Sequence, residues 1–370
     1  MRVGIDARAL LTQRTGIGVY TENIARALGE RERMEIDLFT PREVSPRPEF
    51  PPSVRFVPDA HKFGTVWIQT HLPRRLDQAG SEVLLSALTI SPTRISIPSV
   101  SVVHDLTPLS HPEWHRRKVV VAFLPWIEKT LDRAARVIAV SETTARDLKE
   151  RFPEVSARVT VVPHGVQARF RPPADAAEAE STRAEYTRSR RYVLYLGTLE
   201  PRKNLVRLLS ACERLWREKR SRPDLLLAGG AGWRSAPLLE RIARSPFRDK
   251  IHRVGYVDPE DAPRLYGAAD VFCYPSHEEG FGLPVLEAMA CGAPAVISTT
   301  PALMETAGGA ALSAPAGDDA ALAEAIARVL EEPNLRDTLV SRGLARAAGF
   351  RWEESARRTA DVLRLAREER

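Results

Sequence analysis

A glycine-rich turn that opens a predicted helix is the densest chemical signal in the sequence. Residues 279–292 read EGFGLPVLEAMACG, with Gly280 and Gly282 shortly before Pro284, which suits a first helical turn because proline lacks an N–H group. Glycine lets the backbone approach a ligand closely, and the free N–H groups at a helix start favour an anion such as a diphosphate. The residues that would form this phosphate cradle are Gly280, Phe281, Gly282 and Leu283.

Two glutamates bracket this turn, Glu279 in the loop and Glu287 one turn into the helix. Carboxylates accept hydrogen bonds from vicinal hydroxyl groups, which a ribose or a hexose supplies. Both side chains can therefore face one ligand and bind different parts of it. The alternative interpretation makes Glu279 a solvated loop residue and Glu287 an ordinary charge that complements the dipole at a helix start.

A second motif, GTLEPRKN at residues 197–204, lies between a predicted strand and a predicted helix. Asn204 is a favourable N-cap residue for that helix. Arg202 and Lys203 then stand at the C-terminal edge of a sheet, where open α/β sheets bind ligands, and could neutralise a leaving diphosphate. The alternative is a solvated basic loop.

The elements that must position these motifs alternate between short β-branched runs and longer helical patterns, which is typical of doubly wound parallel sheets. A first series of predicted strands covers residues 2–6, 54–57, 83–85, 100–104, 137–140 and 159–162. The alternation then restarts, with predicted strands at 192–196, 224–228, 251–254, 271–274 and 295–298. We therefore predict an α/β protein with two such sheets.

A domain boundary is predicted between the two series of strands. Pro163, His164 and Gly165 are followed by a polar stretch at 171–191 that lacks strand character, and a length of 370 residues favours two domains over one. We predict a first domain at 1–170 and a second at 171–351. A helix over about 352–370, with apolar residues at helical spacing, is expected to pack back on the first domain.

Composition excludes several functional classes. Hydrophobic content of 44% and charged content of 28% indicate a folded globular chain. The 54 basic and 48 acidic residues are spread along the chain, so no nucleic-acid partner is predicted. Three cysteines without CxxC spacing predict buried reduced thiols, and no Asp-x-Asp metal box accompanies the two motifs. Because we find neither an apolar run of roughly 20 residues nor a signal peptide, we expect a cytoplasmic protein.

Together these motifs resemble the retaining glycosyltransferases of family four, over nearly the whole chain. That family has the GT-B fold, in which two doubly wound Rossmann-like domains face a central cleft. The resemblance implies that the first domain binds the acceptor and the second the nucleotide sugar. It also implies that Arg202 and Lys203 contact the donor diphosphate, that Glu287 holds the ribose, and that Glu279 lies beside the donor sugar. The family's two glutamates are separated by seven residues, as Glu279 and Glu287 are.

Three shorter matches agree with the same family: TGIG at residues 15–18, His104 at a strand end, and GYV at residues 255–257. The resemblance implies that Gly16 lies near the donor phosphates, that His104 lies at the donor sugar, and that the backbone of Val257 meets the nucleobase. On the same ground, Glu279 and His104 are the predicted catalytic residues.

The resemblance implies an enzyme of polysaccharide biosynthesis that moves a hexose from a nucleotide-diphosphate sugar to a glycan or lipid-linked acceptor, with retention at the anomeric carbon. GDP-mannose is the favoured donor, and neither a metal nor another cofactor is expected. A nucleotide-sugar epimerase of the same fold and a non-catalytic nucleotide-sugar-binding protein are the alternatives. A nicotinamide-dependent oxidoreductase fits poorly, because Thr21 stands at the third glycine of its motif. One departure from the family is His164, where asparagine is more usual.

A basic run beside an apolar run indicates a further partner. The sequence HRRK at 115–118 leads directly into VVVAFLPW at 119–126. Each basic residue near anionic headgroups contributes on the order of 1 kcal/mol, which favours peripheral contact with the inner face of a membrane. The alternative is a core helix that buries the same apolar residues and leaves its basic end in solvent.

Overall fold

The computed structural model describes residues 1–11, 16–61 and 65–369. The chain forms two compact units, one comprising Met1–Gly165 with Arg351–Arg370 and the other Val166–Phe350. Residues 166–170, which we assigned to the first domain, belong to the second unit. There the N–H of Val166 donates to the carbonyl of Phe350, and the ring of Phe170 packs on Tyr266.

The first unit is built on a seven-stranded sheet whose strands pair in parallel. In chain order these strands are β1 Arg2–Asp6, β2 Glu35–Thr40, β3 Val54–Pro58, β4 Val83–Ser86, β5 Ser99–Val103, β6 Arg136–Ala139 and β7 Val159–Val161. Side by side they run in the order β3-β2-β1-β4-β5-β6-β7. The central strands β4 and β5 are buried along their whole length, as expected for parallel strands covered on both faces.

Helices connect these strands, and short 3-10 turns occur at Arg8–Leu11, Pro112–Trp114 and Pro153–Arg158. The helices are α1 Gly16–Arg31, α2 Thr65–Ala79, α3 Thr107–Ser110, α4 Arg117–Arg133 and α5 Glu142–Arg151. The core on one side of the sheet combines buried residues of α2 and α4 with strand residues; its largest fully buried side chain is Trp67.

The second unit contains a six-stranded parallel sheet in the order β10-β9-β8-β11-β12-β13. Its strands are β8 Tyr192–Leu196, β9 Asp224–Ala228, β10 Ile251–Gly255, β11 Val271–Tyr274, β12 Ala295–Ser298 and β13 Ala311–Ala314. Its helices are α6 Ala176–Thr187, α7 Leu205–Arg217, α8 Ala236–Arg244, α9 Ala262–Ala268, α10 Leu283–Ala290, α11 Pro301–Ala307, α12 Asp319–Glu331 and α13 Pro333–Ala347. Short 3-10 turns lie at Pro201–Lys203 and Arg248–Lys250.

The predicted architecture of two doubly wound parallel sheets is confirmed, but two strands escaped prediction. In β2 the apolar run is interrupted by Asp37, which is nevertheless buried and ion-paired with Arg55 of the neighbouring strand β3. The edge strand β13 reads ALSA and carries no β-branched residue. Both strands exist because of their neighbours in the sheet rather than their own sequence pattern.

The last helix, α14 Trp352–Glu368, belongs to the first unit, where it packs against α1. Its Ser355 hydroxyl donates to the carbonyl of Pro163 at 2.6 Å. A Cβ atom added to Gly165 would lie 2.2 Å from the backbone nitrogen of Trp352. Only glycine allows these two segments to cross so closely, which explains the glycine at the end of the predicted boundary motif.

All three cysteines are buried and free, as predicted. None of the helices in the described residues has the length and apolar character needed to cross a membrane.

Candidate functional site

The two motifs of the second unit lie at the C-terminal edge of its sheet, where the strand order reverses. The 197–204 motif follows β8, and residues 279–292 follow β11; these strands are neighbours although β9 and β10 separate them along the chain. Open α/β sheets bind ligands beside such a switch point because the connections from the two strands diverge there. The fold thus brings both motifs to one place.

Glu279 is bonded to both cations of the first motif. The Lys203 ammonium donates to Oε1 of Glu279 at 2.6 Å, and Nη1 of Arg202 lies 3.3 Å from Oε2. The side chains of Lys203, Arg202 and Glu279 are 9%, 15% and 8% exposed. The alternative interpretation of solvated loop residues is therefore excluded for these three.

Burial and charge act in opposite directions on this cluster. Burial raises the pKa of Glu279, but the charges of Arg202 and Lys203 more than compensate, so the pKa lies below its ordinary value. Burial lowers the pKa of Lys203, and the charge of Glu279 opposes this only in part. The carboxylate is charged at neutral pH, and removing one partner of such a buried pair costs about 3 to 5 kcal/mol because the other is left uncompensated.

Two further residues hold the cations, and sequence reasoning missed both. The Tyr274 hydroxyl lies 2.6 Å from the Lys203 ammonium, and its ring centre is 4.9 Å from that nitrogen. Oε1 of Glu200 lies 3.3 Å from Nε of Arg202. Glu200 lies inside the GTLEPRKN motif and Tyr274 ends the strand before the glycine-rich turn. The sequence therefore places both residues next to the two motifs, but it does not show that they contact Arg202 and Lys203.

The glycine-rich turn forms as predicted, and α10 begins directly after it. Gly282 has a φ of 95°, and a Cβ atom there would lie 2.4 Å from a side-chain carbon of Leu303, so glycine is required. The Phe281 carbonyl accepts a hydrogen bond of 2.5 Å from the Thr306 hydroxyl. Because the side chains of Phe281 and Leu283 are buried, these residues can offer only backbone groups to a ligand.

Glu287, on α10, has an environment opposite to that of Glu279. The Tyr266 hydroxyl donates to its Oε2 at 3.1 Å. Burial raises the pKa of Glu287 to about 7, opposed by the Tyr266 hydrogen bond and the charge of Arg169. Part of Glu287 remains accessible to solvent, so burial raises its pKa less than it would raise the pKa of a fully enclosed carboxyl. This carboxyl titrates near neutral pH and can both accept and donate hydrogen bonds there.

Two other residues of the second unit were singled out from the sequence. Asn204 precedes α7 but does not cap it: its φ of 58° turns the side chain away, and its Nδ2 donates to the carbonyls of Pro275 and Ala316 at 3.0 and 2.7 Å. Asn204 thus ties its motif to the loop after β11. Val257 is partly buried and follows β10, the edge strand that β9 separates from β8.

In the first unit, His104 follows β5 directly. Its Nε2 lies 2.9 Å from the carbonyl oxygen of Ala87, and because a carbonyl oxygen only accepts, Nε2 carries the proton. Burial lowers the pKa of His104, and the Ala87 carbonyl and the charge of Asp105 oppose this only in part. The neutral imidazole therefore presents Nδ1 as a hydrogen-bond acceptor.

A cluster of buried rings surrounds His104. Its ring centre lies 5.1 Å from that of Tyr20 and 5.5 Å from that of His164, and His164 lies 5.7 Å from Trp352 at the start of α14. Burial, followed by the charge of His104, places the pKa of His164 well below its ordinary value. The residue that replaces the family's asparagine is therefore a neutral packing partner of His104.

The TGIG motif lies at the start of α1. Thr15 is outside the described residues, and Gly16 is the first residue of the helix, so Gly16, Ile17 and Gly18 are helical. Gly16 is exposed, and no heavy atom of the described residues lies within 4 Å of a Cβ atom placed on it. Across the described residues, no group of three or more histidine, cysteine, aspartate or glutamate side chains is placed to hold a metal ion.

The raised pKa of Glu287 predicts a pH-dependent stability. The Glu287 carboxyl binds its proton more tightly in the folded chain than in the unfolded chain. Protonation therefore stabilises the fold fully below about pH 4.5, and this contribution is lost as the pH rises through about 7. Glu287→Gln should match the wild type at pH 4 and exceed it at pH 8 by on the order of 2 kcal/mol, allowing for partial exposure. Calorimetric unfolding across this range measures the difference, with Glu240→Gln at the exposed surface of α8 as the control for the substitution itself. An equal effect of Glu287→Gln at both pH values would contradict the assignment.

Two family models match successive parts of the chain. The model described as glycosyltransferase family 4 matches residues 14–170, and the one described as glycosyl transferases group 1 matches residues 178–346. Among solved structures, sucrose-phosphate synthase from Thermosynechococcus elongatus superposes with a TM-score of 0.81 at 22% identity, over 100% of both chains. At that identity the likeness concerns the fold alone.

Relatives of known function are also similar to this chain in sequence. The O-antigen chain mannosyltransferase B of Escherichia coli is 34% identical over 267 residues, which is 72% of this chain and 70% of that protein. A D-inositol 3-phosphate glycosyltransferase of Kineococcus radiotolerans is 30% identical over 260 residues, which is 66% of this chain and 60% of that protein. With matching family models in both halves and a relative of this identity and coverage, the chain belongs to the family-four-like glycosyltransferases with the GT-B fold.

Proposed function

We propose that this glycosyltransferase moves a hexose from a nucleotide-diphosphate sugar to a glycan or lipid-linked acceptor in polysaccharide biosynthesis, with retention at the anomeric carbon. The observation that carries the proposal is the pair of cations, the buried Lys203 and the largely buried Arg202, held at the switch point of the second sheet. Departure of a nucleoside diphosphate builds negative charge, which fixed cations and backbone N–H groups stabilise without reorganisation.

The remaining roles follow the family likeness. We assign the diphosphate to Arg202 and Lys203, together with the backbone of residues 280–283 at the start of α10. Glu287 would take the ribose hydroxyls, and the backbone of Val257 the nucleobase. Glu279 is assigned to the donor sugar; its oxygens already bond two cations, so it would meet the sugar as a charged acceptor rather than as an acid. No metal has a role in this scheme.

For the first unit, the assignments are His104 to the donor sugar and Gly16 to the phosphates. His104 is suited to a sugar hydroxyl because its Nε2–H is engaged by Ala87, which leaves Nδ1 to accept a hydrogen bond. Gly16 offers an N–H group at the start of α1, where the helix dipole favours an anion. We therefore expect His104 to act while neutral.

Removing either cation should abolish most transfer. Arg202→Ala and Lys203→Ala each withdraw a positive charge from the developing diphosphate, and we expect a loss of about 100-fold or more in kcat. Arg207→Ala is the matched control, because Arg207 lies in the same segment but pairs with Asp319 at 3.0 Å on the surface. A folded double variant of Arg202 and Lys203 with near-normal turnover would refute the diphosphate assignment.

We propose GDP-mannose as the donor, supported by the E. coli mannosyltransferase that is 34% identical to this chain. A ligand that binds only the folded protein raises the melting temperature, and at equal concentration the tighter ligand raises it more. We therefore expect GDP to stabilise the protein more than UDP, ADP or dTDP at equal concentration, measured by thermal shift. Stabilisation by UDP alone would replace this donor with a uridine nucleotide sugar.

Peripheral contact with the cytoplasmic face of an anionic membrane is proposed for α4. Its first half exposes Val119, Val121 and Leu124 to solvent, at 42%, 62% and 41%, next to the exposed Arg117. One face of the helix is buried: Ile127 and Leu131 lie in the core of the unit, and the partly buried Phe123 packs against that core. The core-helix alternative therefore accounts for that face of α4 but not for the three exposed apolar residues. Basic residues beside exposed apolar ones suit a leaflet that carries a negative surface potential.

Vesicle co-sedimentation tests this contact. We expect binding to vesicles of anionic phospholipid at low salt, weaker binding at high salt because screening increases, and little binding to neutral vesicles. Val121→Ser with Leu124→Ser should reduce the bound fraction, whereas Leu365→Ser, which alters a 48% exposed residue of α14, should not. Equal and negligible sedimentation with both vesicle types at low salt would rule the contact out.

A further inference from the structure

Lys203 has two partners of different kinds, and only one of them is an anion. Its ammonium donates to Glu279 and to the Tyr274 hydroxyl, both at 2.6 Å. Glu279 also contacts Arg202, so one carboxylate serves both cations. A diphosphate that binds the same two cations competes with that carboxylate for their N–H groups. The Tyr274 hydroxyl is neutral and can keep its hydrogen bond while the anion changes.

Tyr274 is itself held rigidly. It is the last residue of β11 and is 2% exposed. Its ring is nearly parallel to those of Tyr195 and Phe272, with ring centres 5.9 and 5.8 Å away and interplanar angles of 11° and 22°. Lysine, by contrast, carries its charge on a flexible four-carbon stem and loses position easily. A fixed hydroxyl and ring face beside the ammonium restrain that flexibility.

We propose that Tyr274 is a positioning residue that holds the Lys203 ammonium in place when the donor diphosphate displaces Glu279 from it. The proposal rests on the proposed role of Lys203 as a diphosphate-binding residue. Tyr274 acts through Lys203 and is not assigned a contact with substrate. Its contribution is preorganisation, because a cation already in place needs no reorganisation as charge develops on the leaving group.

The chain offers a matched control for this role. Tyr195 is stacked on Tyr274 and is fully buried, but its hydroxyl donates to the backbone carbonyl of Thr198 at 2.9 Å rather than contacting Lys203. Tyr274→Phe and Tyr195→Phe each delete one buried hydroxyl from the same stack. A melting temperature measured for each variant shows that it is folded, and a difference in function between the two folded variants then reports on Lys203.

The first measurement is binding and turnover. We expect Tyr274→Phe to raise the Kd for GDP, measured by calorimetry, and to lower kcat. Each change should be about 10-fold, because the substitution removes a hydrogen bond to a charged group. Tyr195→Phe should stay within about 2-fold of wild type, because its hydroxyl bonds a backbone carbonyl and does not contact Lys203. In a Lys203→Ala background, Tyr274→Phe should have no further effect, because the residue it positions is gone.

The second measurement is the alkaline limb of the pH profile of kcat/KM. The charged or polar groups that face the Lys203 ammonium are Glu279, Arg202, Glu200 and Tyr274. Burial already lowers the pKa of Lys203, and loss of an oxygen that accepts from the ammonium lowers it further. The alkaline limb should therefore move to lower pH in Tyr274→Phe and stay in place in Tyr195→Phe. A purely structural role would not produce this shift.

The outcomes separate the two proposals. If Lys203→Ala retains normal turnover, the diphosphate assignment fails and the positioning role fails with it. If Lys203→Ala is inactive but Tyr274→Phe equals Tyr195→Phe in Kd, kcat and pH profile, the positioning role alone is wrong. If Tyr274→Phe has its full effect in the Lys203→Ala background, it acts on the fold and not through Lys203.

Discussion

The buried pairing of Glu279 with Arg202 and Lys203 is the interaction on which the rest of the second unit depends. Three charged side chains can be buried together only if their charges and hydrogen bonds are satisfied. The parallel sheet achieves this by setting β8 beside β11, so that the ends of both strands supply partners. Glu200 and Tyr274 then take the N–H groups that Glu279 leaves. The site exists because the sheet is built in this order.

The two glutamates of the glycine-rich motif have pKa values shifted in opposite directions by their surroundings. Glu279 lies between two cations, which lower its pKa despite burial. Glu287 has the Tyr266 hydroxyl as its hydrogen-bond donor, and burial raises its pKa to about 7. Pairs of carboxyl groups whose environments separate their pKa values are suited to different tasks in one site. This supports the proposed roles of Glu279 as a charged acceptor at the donor sugar and of Glu287 at the ribose hydroxyl groups.

In the first unit, burial keeps two imidazole rings neutral. Burial lowers the pKa of both His104 and His164; the ring of Tyr20 packs on both imidazoles, and that of Trp352 packs on His164. Trp352 is the first residue of the last helix, α14, and the absence of a side chain at Gly165 lets the start of that helix pack closely against the segment after β7. The position of His104 is therefore tied to the fold of the whole unit.

The sequence alone determined the alternation of strands and helices, the glycine-rich turn and the Arg202-Lys203 motif, because these depend on patterns within a few residues. Tertiary structure decided the rest. β2 escaped prediction because Asp37 is tolerated only through Arg55 of a neighbouring strand. The roles of Glu200 and Tyr274 followed from packing, since Tyr274 and Lys203 are 71 positions apart. Hydrophobic periodicity reports which face of an element is buried, but not which side chain of another element it meets, and hydrogen bonds between distant residues are set only when the sheet forms.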